Sequence, residues 1–476
     1  MNQRRIGATS LSQLLGQWHH DTSRTPVYLQ LTHALRLLIL DGRLPLDCRL
    51  PGERALSTVL GISRTTLASA LGLLREQGYL TSRQGSGSVT LLPEGRPPVS
   101  PLPITAPILD LSSASLSAGP EIHHAYASAL IALPEHLNST GYSGQGLLSL
   151  REVIAERYCA RGLPTEPGEV MIVNGALNGL GLVLRLLTGP GDRVVIENPT
   201  YSVAITTIRG ASCRPVSISL PAEGWDVAGL AATLAQTSPR LAYLLPDYHN
   251  PTGRCMDAIT RQHVCAAASA TRTTLVADET LVDLWFDTPP PPPLAAFDKG
   301  DNVITLGSTS KSFWGGLRVG WIRASRKTIN ALIQVRNTFD LGTPILEQLA
   351  TVALFNESEN FLPERRRMLR QRRDDSFSAV AELFPDWKTC QPEGGLSWWV
   401  ELPQALATIL ASHAESVGIR MGAGPRFGVE GAFERYLRLP FTLSPPEMRQ
   451  ALVRLQPIWQ QLVAQGSERS RGGIIV

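Results

Sequence analysis

The sequence predicts two folded parts: a small helical front closed by a β-hairpin, and a large α/β domain with a mostly parallel sheet. Three observations predict this. Short amphipathic stretches fill residues 8–80, six prolines crowd into residues 93–107, and from Leu109 onward apolar strand-like runs alternate with helical stretches. The clearest runs are 194–197, 241–245, 275–278 and 303–306. A chain of 476 residues is also too long for one compact core.

Each segment has its own reason. Residues 8–18 place Leu11, Leu14, Leu15 and Trp18 on one helical face, with Thr9 or Ser10 as the cap. A second helix, 27–40, carries the stripe Leu31, Ala34, Leu35 and Leu38. In 49–64 (RLPGERALSTVLGISR), residues 53–60 suit a short helix, Gly61 a turn, and Ser63 the cap of a further helix reaching about Gln77. On that helix Leu67, Ala70, Leu71 and Leu74 recur at core-facing spacing, leaving Ser63, Arg64, Thr65 and Thr66 pointing outward at its N-terminus. There a positive dipole end suits base and phosphate contacts. Tyr79–Leu80 begins a strand, Gln84-Gly85-Ser86-Gly87-Ser88 turns it, and Val89–Leu91 returns; this hairpin, with Arg83, is shaped as a wing.

Charge agrees with that reading. Residues 1–93 hold ten Arg, no Lys and five acidic residues, a net of +5 on a chain whose total is +3. A basic front on a near-neutral body suits a polyanion. The six cysteines are scattered without C-x-x-C or metal-ligand spacing, which suggests reduced thiols and no metal. No apolar run approaches a bilayer span and no signal peptide follows Arg4-Arg5, so a cytoplasmic protein with no membrane partner is expected. Prolines 289–293 read as a surface loop, and the residues from about Gly466 as a frayed tail.

The front resembles the GntR winged-helix family through Arg49-Leu50-Pro51, Glu53-Arg54, Leu60-Gly61-Ile62-Ser63-Arg64-Thr65-Thr66 and Arg83-Gln84-Gly85-Ser86-Gly87. The resemblance implies double-stranded DNA as partner. It makes Arg49, Arg54, Ser63, Arg64, Thr65, Thr66, Arg83 and Gly87 the expected contacts; arginine forks suit both phosphate and guanine edges. A winged helix used only for protein contacts is the alternative.

In the large domain, Gly307-Ser308-Thr309-Ser310-Lys311-Ser312-Phe313 precedes Gly315-Gly316-Leu317-Arg318-Val319-Gly320-Trp321. A lysine after a strand, among hydroxyls and near an arginine, can form an imine with an aldehyde while its neighbours hold a phosphate. Asp278 closes a strand, where a buried carboxylate needs a partner such as a pyridinium nitrogen. Asn250-Pro251-Thr252-Gly253 follows the 241–245 strand, and Asn174-Gly175-Ala176-Leu177 joins a strand to a helix N-terminus, a phosphate site. Tyr201 suits stacking on a ring. Each is weak alone: N-P-T-G is also a plain turn, and Tyr201 also a core residue.

Together, in this order, these motifs resemble the class I aminotransferases of fold type I over about 350 residues, a large domain of mostly parallel sheet with a small C-terminal α/β subdomain. The resemblance implies pyridoxal 5'-phosphate as cofactor. It puts Lys311 on the cofactor aldehyde and Asp278 on the pyridine nitrogen, with Asn250 on the ring oxygen and Tyr201 on the ring face. Gly175, Ala176, Ser308, Ser310 and Arg318 take the phosphate, and Tyr142 reaches a partner subunit's phosphate. Arg438, in Tyr436-Leu437-Arg438-Leu439, takes a substrate carboxylate; a structural salt bridge is the alternative. One departure stands out. Relatives carry a tyrosine two or three residues after the aspartate, whereas here Glu279, Thr280 and Leu281 follow. Cofactor binding survives that loss, but efficient transamination is put in doubt.

A winged helix joined by a proline-rich linker to such a domain is the layout of MocR-type regulators. The expected organisation is an amphipathic segment at 1–23, a winged helix at 24–92, a linker at 93–108, the aminotransferase-like domain at 109–465 and a tail at 466–476. In polyproline form, the residues between 91 and 107 span roughly 50 Å, enough to hold the front domain away from its body. The layout implies a homodimer on two DNA half-sites, with an amine or amino-acid effector. A working aminotransferase with an accessory front domain, and a cofactor-free vestigial body, are the rival readings.

Overall fold

The structure is a computed structural model that describes residues 4–19, 26–40, 43–83, 87–91, 108–222, 224–429 and 431–471. The expected linker, apart from Ile108, and the Gln84-Gly85-Ser86 turn lie outside the described residues. The chain divides into two compact units, one of residues 1–113, 375–390 and 399–476, the other of 114–374 and 391–398.

The first unit opens with four helices: α1 (Ala8–Leu15), α2 (Val27–Leu40), α3 (Glu53–Leu60) and α4 (Arg64–Glu76). Their apolar stripes form one core that includes Leu11, Leu31, Leu35, Leu67, Leu71 and Leu74. α1 starts after Gly7 with no side-chain cap, so neither Thr9 nor Ser10 caps it. It ends at Leu15 because Gly16 turns away at φ 57°, and Trp18 reaches the core from beyond the helix. Gly61 makes the α3–α4 turn in the left-handed region at φ 66°, a conformation that favours glycine. A four-stranded sheet, ordered Arg4–Arg5, Cys48–Arg49, Gly87–Thr90 and Leu80–Arg83, closes the front. The last two strands are the expected hairpin. The first two were not expected, being too short to show a period.

A five-stranded sheet is ordered Lys388–Thr389, Ser397–Glu401, Tyr436–Pro440, Ile419–Ala423 and Leu109–Leu111. Leu109–Leu111 thus crosses back to pair in parallel with Ile419–Ala423. The closing helix, Pro445–Arg471, continues past Gly466, where the composition suggested a frayed tail. Its buried face of Leu452, Leu455, Trp459 and Leu462 propagates the helix beyond the last packed turn. Although the linker is long enough to hold the front apart, α2 packs against Ala407–Ala414 of the C-terminal subdomain.

The second unit is built on a seven-stranded sheet ordered Val170–Val173, Gly320–Arg323, Val303–Ser308, Thr274–Asp278, Leu241–Leu244, Arg193–Asn198 and Arg214–Ser219. Only Gly320–Arg323 runs against its neighbours. The inner strands are buried on both faces, as covered parallel sheets require, and so read as continuous apolar runs. Prolines 289–293 form a loop as expected, and Arg261 anchors it by donating to the Pro292 carbonyl at 3.1 Å. Six of the seven strands point the same way, so their C-terminal ends share one edge. In open α/β sheets that edge is where ligands bind.

Candidate functional site

That edge gathers the expected cofactor residues of the second unit. Asp278 ends its strand, Ser308 ends the next one, Asn250 follows Leu241–Leu244, and Tyr201 caps the start of Ser202–Gly210. Lys311 lies just after Val303–Ser308, and its Nζ donates to the Ala114 carbonyl at 2.8 Å. Lys311 is also close enough to stabilise the Asp278 carboxylate electrostatically.

Asp278 is almost fully buried, and burial pushes its carboxyl above the usual range. Hydrogen bonds work against that shift, first from the Tyr243 hydroxyl at 2.5 Å on Oδ2 and then from Thr280, whose backbone N–H lies 3.1 Å from Oδ1, and the Lys311 charge adds to them. Tyr243 was missed by sequence reasoning. Its only signal was a phenol inside the otherwise apolar run Leu241-Ala242-Tyr243-Leu244-Leu245. Thr280 contributes its backbone to Asp278, and Leu281 is buried and carries no donor.

A cradle lies at the start of helix Ala176–Leu187. Its N-cap, Gly175, has φ 88° and no side-chain cap, so the first-turn N–H groups are not claimed by a local side chain. A Cβ added to Gly175 would stand 2.7 Å from Arg318 Nη2. Arg318 itself donates to the Asn174 carbonyl at 3.1 Å. Gly320 closes the other side, where a Cβ would meet the Ala176 nitrogen at 2.7 Å. Ser308 and Ser310 hydroxyls lie 2.8 Å apart, and the Ser310 N–H donates to Ser308 Oγ at 3.1 Å. Uncapped N–H groups, a guanidinium, two hydroxyls and glycine-tight walls suit a phosphate. A buried carboxylate and a lysine on the same sheet edge suit a pyridine ring bearing an aldehyde. The residues present therefore fit pyridoxal phosphate.

Tyr142 and Arg438 are the remaining expected residues. Tyr142 is 71 % exposed. Arg438 belongs to the first unit, where it is buried, donates to the Ser112 carbonyl and sits over the Phe427 ring, 4.9 Å from its centroid.

The second unit also holds buried ionic contacts that the sequence did not announce. Arg161 binds Glu279 at 2.8 Å, and Arg261 binds Asp247 at 2.6 Å. Glu197 accepts from Trp225 Nε1 at 2.5 Å and from the Leu245 N–H at 2.9 Å. These contacts tie together residues at the ends of three strands, with Glu279 next to Asp278 and Asp247 three residues before Asn250 in sequence.

In the front domain the Ser63 cap accepts from the Thr66 N–H at 3.0 Å, and its Oγ lies 2.8 Å and 2.7 Å from the Thr65 and Thr66 hydroxyls. Arg54, Ser63, Arg64, Thr65 and Gly87 are exposed, and Thr66 and Arg49 half-buried. Arg49 lies beneath the wing, its Nε 3.5 Å from where a Gly87 Cβ would stand. Arg83 ends the strand Leu80–Arg83; its side chain is outside the described residues. Leu67, Ala70, Leu71 and Leu74 are buried as their spacing required.

Fold and site together define a helix-turn-helix DNA-binding module joined to an aminotransferase-type body. Residues 110–455 match the family described as aminotransferase class I and II, and residues 27–89 the bacterial regulatory proteins of the gntR family. The chain belongs to the class I and II aminotransferase family, in the MocR layout that carries a GntR-type helix-turn-helix at the front. It is 26% identical to the uncharacterised HTH-type transcriptional regulator YdfD of Bacillus subtilis, over 89% of this chain and 94% of that one. It is 27% identical to the uncharacterised regulator YdcR of Escherichia coli, over 86% and 94%. It is also 30% identical to the 2-aminoadipate transaminase of Thermus thermophilus, over 67% and 81%. Among solved structures it resembles the alpha-aminoadipate aminotransferase LysN of Thermus thermophilus, with a TM-score of 0.69 and 28% identity over 75% and 93% of the two chains. Members of this family use pyridoxal phosphate. Among the described residues no helix is long and apolar enough to cross a membrane.

Proposed function

We propose that this protein is a pyridoxal-phosphate-dependent regulator of transcription, which binds an operator through its front domain and alters that binding when an amine or amino acid reaches the large domain. One observation supports the reading: a single chain carries an exposed helix start, Ser63–Thr65, and a buried carboxylate near a lysine at the C-terminal ends of a mostly parallel sheet.

When bound, the cofactor supplies an aldehyde that combines reversibly with primary amines and a ring that withdraws electrons. The chain's own residues do the rest. Lys311 presents the amine that holds the aldehyde, and Asp278 keeps a proton on the ring nitrogen. Asn250 hydrogen-bonds the ring oxygen, and Tyr201 covers a face. Gly175, Ala176, Ser308, Ser310 and Arg318 bind the phosphate. Arg438 receives the effector's carboxylate. The effector acts as a switch because it binds two arrangements of the protein with different affinity.

The active form is a homodimer. Leu130, Ile131, Leu137, Tyr142, Phe339 and Leu341 are all exposed, and an apolar set of this kind suits a second copy. Tyr142 then reaches the partner's phosphate, and two reading heads meet two half-sites. An operator-binding protein of this kind works in the cytoplasm, where the chromosome is.

The test is direct. Purified protein with pyridoxal phosphate turns yellow, and borohydride fixes the label on Lys311; Lys311→Ala abolishes the fixation. Anisotropy with the DNA upstream of its own gene then shifts with one member of an amino-acid panel. A protein that stays colourless in excess cofactor overturns the reading. A second reading, a working aminotransferase, is favoured by the retained Lys311, Asp278 and Arg438. Sustained turnover with an amino acid and a 2-oxo acid decides for it, whereas a single stalled half-reaction decides against it.

A further inference from the structure

We propose that Tyr243 is a positioning residue for the cofactor ring: its hydroxyl holds the Asp278 carboxylate turned to meet the pyridinium nitrogen. The inference rests on the cofactor reading above and deepens it.

The geometry is specific. Tyr243 and Asp278 stand on adjacent parallel strands, in register Val276↔Tyr243 and Ala277↔Leu244, so Asp278 lies two residues further along. Tyr243 is 1 % exposed and Asp278 7 % exposed. The phenol donates to Oδ2 at 2.5 Å, the length of a charge-assisted O–H···O⁻ bond. The other oxygen is held from behind by the Thr280 N–H at 3.1 Å. Each carboxylate oxygen can accept two hydrogen bonds, so these bonds do not exhaust the capacity of the carboxylate for a ring N–H.

Physics gives the pair a purpose. Burial alone drives Asp278 toward its neutral form, and a neutral acid does not hold a pyridinium proton. The tyrosine opposes that drift, and no packing requirement explains its hydroxyl, since phenylalanine fills the same volume. The phenol also senses Tyr201, the residue expected on the ring face, which places Tyr243 at the edge of the same site. Burial first, and then the Asp278 carboxylate, push the phenol's pKa well above its ordinary value, so Tyr243 stays a donor at every physiological pH.

The experiment uses the full-length protein, Tyr243→Phe, and two probes: pyridoxal phosphate and its 1-deaza analogue, which has carbon in place of the ring nitrogen. Wild-type protein should prefer pyridoxal phosphate by at least tenfold in dissociation constant. Tyr243→Phe should shrink that preference several-fold while leaving the affinity for the deaza analogue unchanged. In an Asp278→Asn background the same change should have no further effect on the preference. A merely structural role weakens both probes equally, and that result overturns the proposal. So does an unchanged preference in Tyr243→Phe, while the wild-type preference leaves the cofactor reading standing. If wild-type protein binds neither probe, the cofactor reading itself fails, and Tyr243 with it.

Discussion

Arg36 of α2 donates from Nη2 to the Glu415 carboxylate at 3.1 Å, tying the front domain to the C-terminal subdomain within one compact unit. The arginine side chain is 10% exposed and the glutamate 30%, so solvent screens the pair only in part. Arg36→Ala should lower the unfolding free energy by about 1–2 kcal/mol, the range for a half-buried charged hydrogen bond. Glu415→Ala made on top of it should add little, because both changes remove one interaction. Urea titration of the single and double variants checks this; strict additivity would refute the pairing.

Two groups in this unit titrate in opposite senses. His33 is pushed down to about 4 by burial first, then by Arg36 and His413. Its folded value lies below the unfolded one, so the unfolded chain binds more protons between about 4 and 6.5, and stability rises with pH across that window. Glu434 is pushed up to about 7, chiefly by burial and against two bonds from Thr408. There the folded chain binds more protons, so stability falls as pH rises from about 4.5 to 7. The two nearly cancel in wild-type protein. His33→Gln should expose the Glu434 slope and Glu434→Gln the His33 slope, each about 1 kcal/mol after solvent screening. Melting temperatures measured from pH 4 to 8 separate them; parallel curves for both variants would contradict the assignment.

Gly175→Ala tests the phosphate cradle. The substituent enters a backbone at φ 88° and stands 2.7 Å from Arg318 Nη2. Strain alone costs about 1–3 kcal/mol, and displacement of the guanidinium should weaken cofactor binding by at least tenfold. Absorbance titration with pyridoxal phosphate reads the affinity, and inorganic phosphate as competitor should lose potency in parallel. An unaltered affinity would place the phosphate elsewhere.

At the other end of the chain, Arg64→Ala and Ser63→Ala should behave differently. Arg64 is exposed at the start of α4, so its loss should weaken DNA binding without affecting stability. If it meets phosphate, the slope of log affinity against log salt falls by about one. Ser63 caps the helix through the Thr66 N–H, so its loss should also cost about 1 kcal/mol of stability. Anisotropy across a salt series, paired with thermal melts, distinguishes the two.

Much of the candidate site was legible because local patterns carry it. Lys311, Asp278, Asn250 and Gly175 each sit where a strand ends, and a strand end shows itself as an apolar run giving way to a polar or small residue. Ser63 and Gly61 were equally plain, because caps and left-handed turns restrict residue type at single positions. Tyr243 was not legible. It matters only through Asp278, 35 residues away, and strand order and register are not written in either segment.

Sequence alone was enough for the helix-turn-helix front and the aminotransferase-type body, the inner strands of the large sheet, the exposed face of α4 and the residue types of the candidate cofactor site. All of these follow from periodicity and from steric limits acting within a few residues. Tertiary structure decided which distant groups share a charge or a core: Tyr243 with Asp278, Arg161 with Glu279, Arg36 with Glu415, and Leu109–Leu111 with Ile419–Ala423. The reason is energetic. A buried carboxylate or guanidinium must find a partner, and which one lies within reach is set by the packing of whole elements.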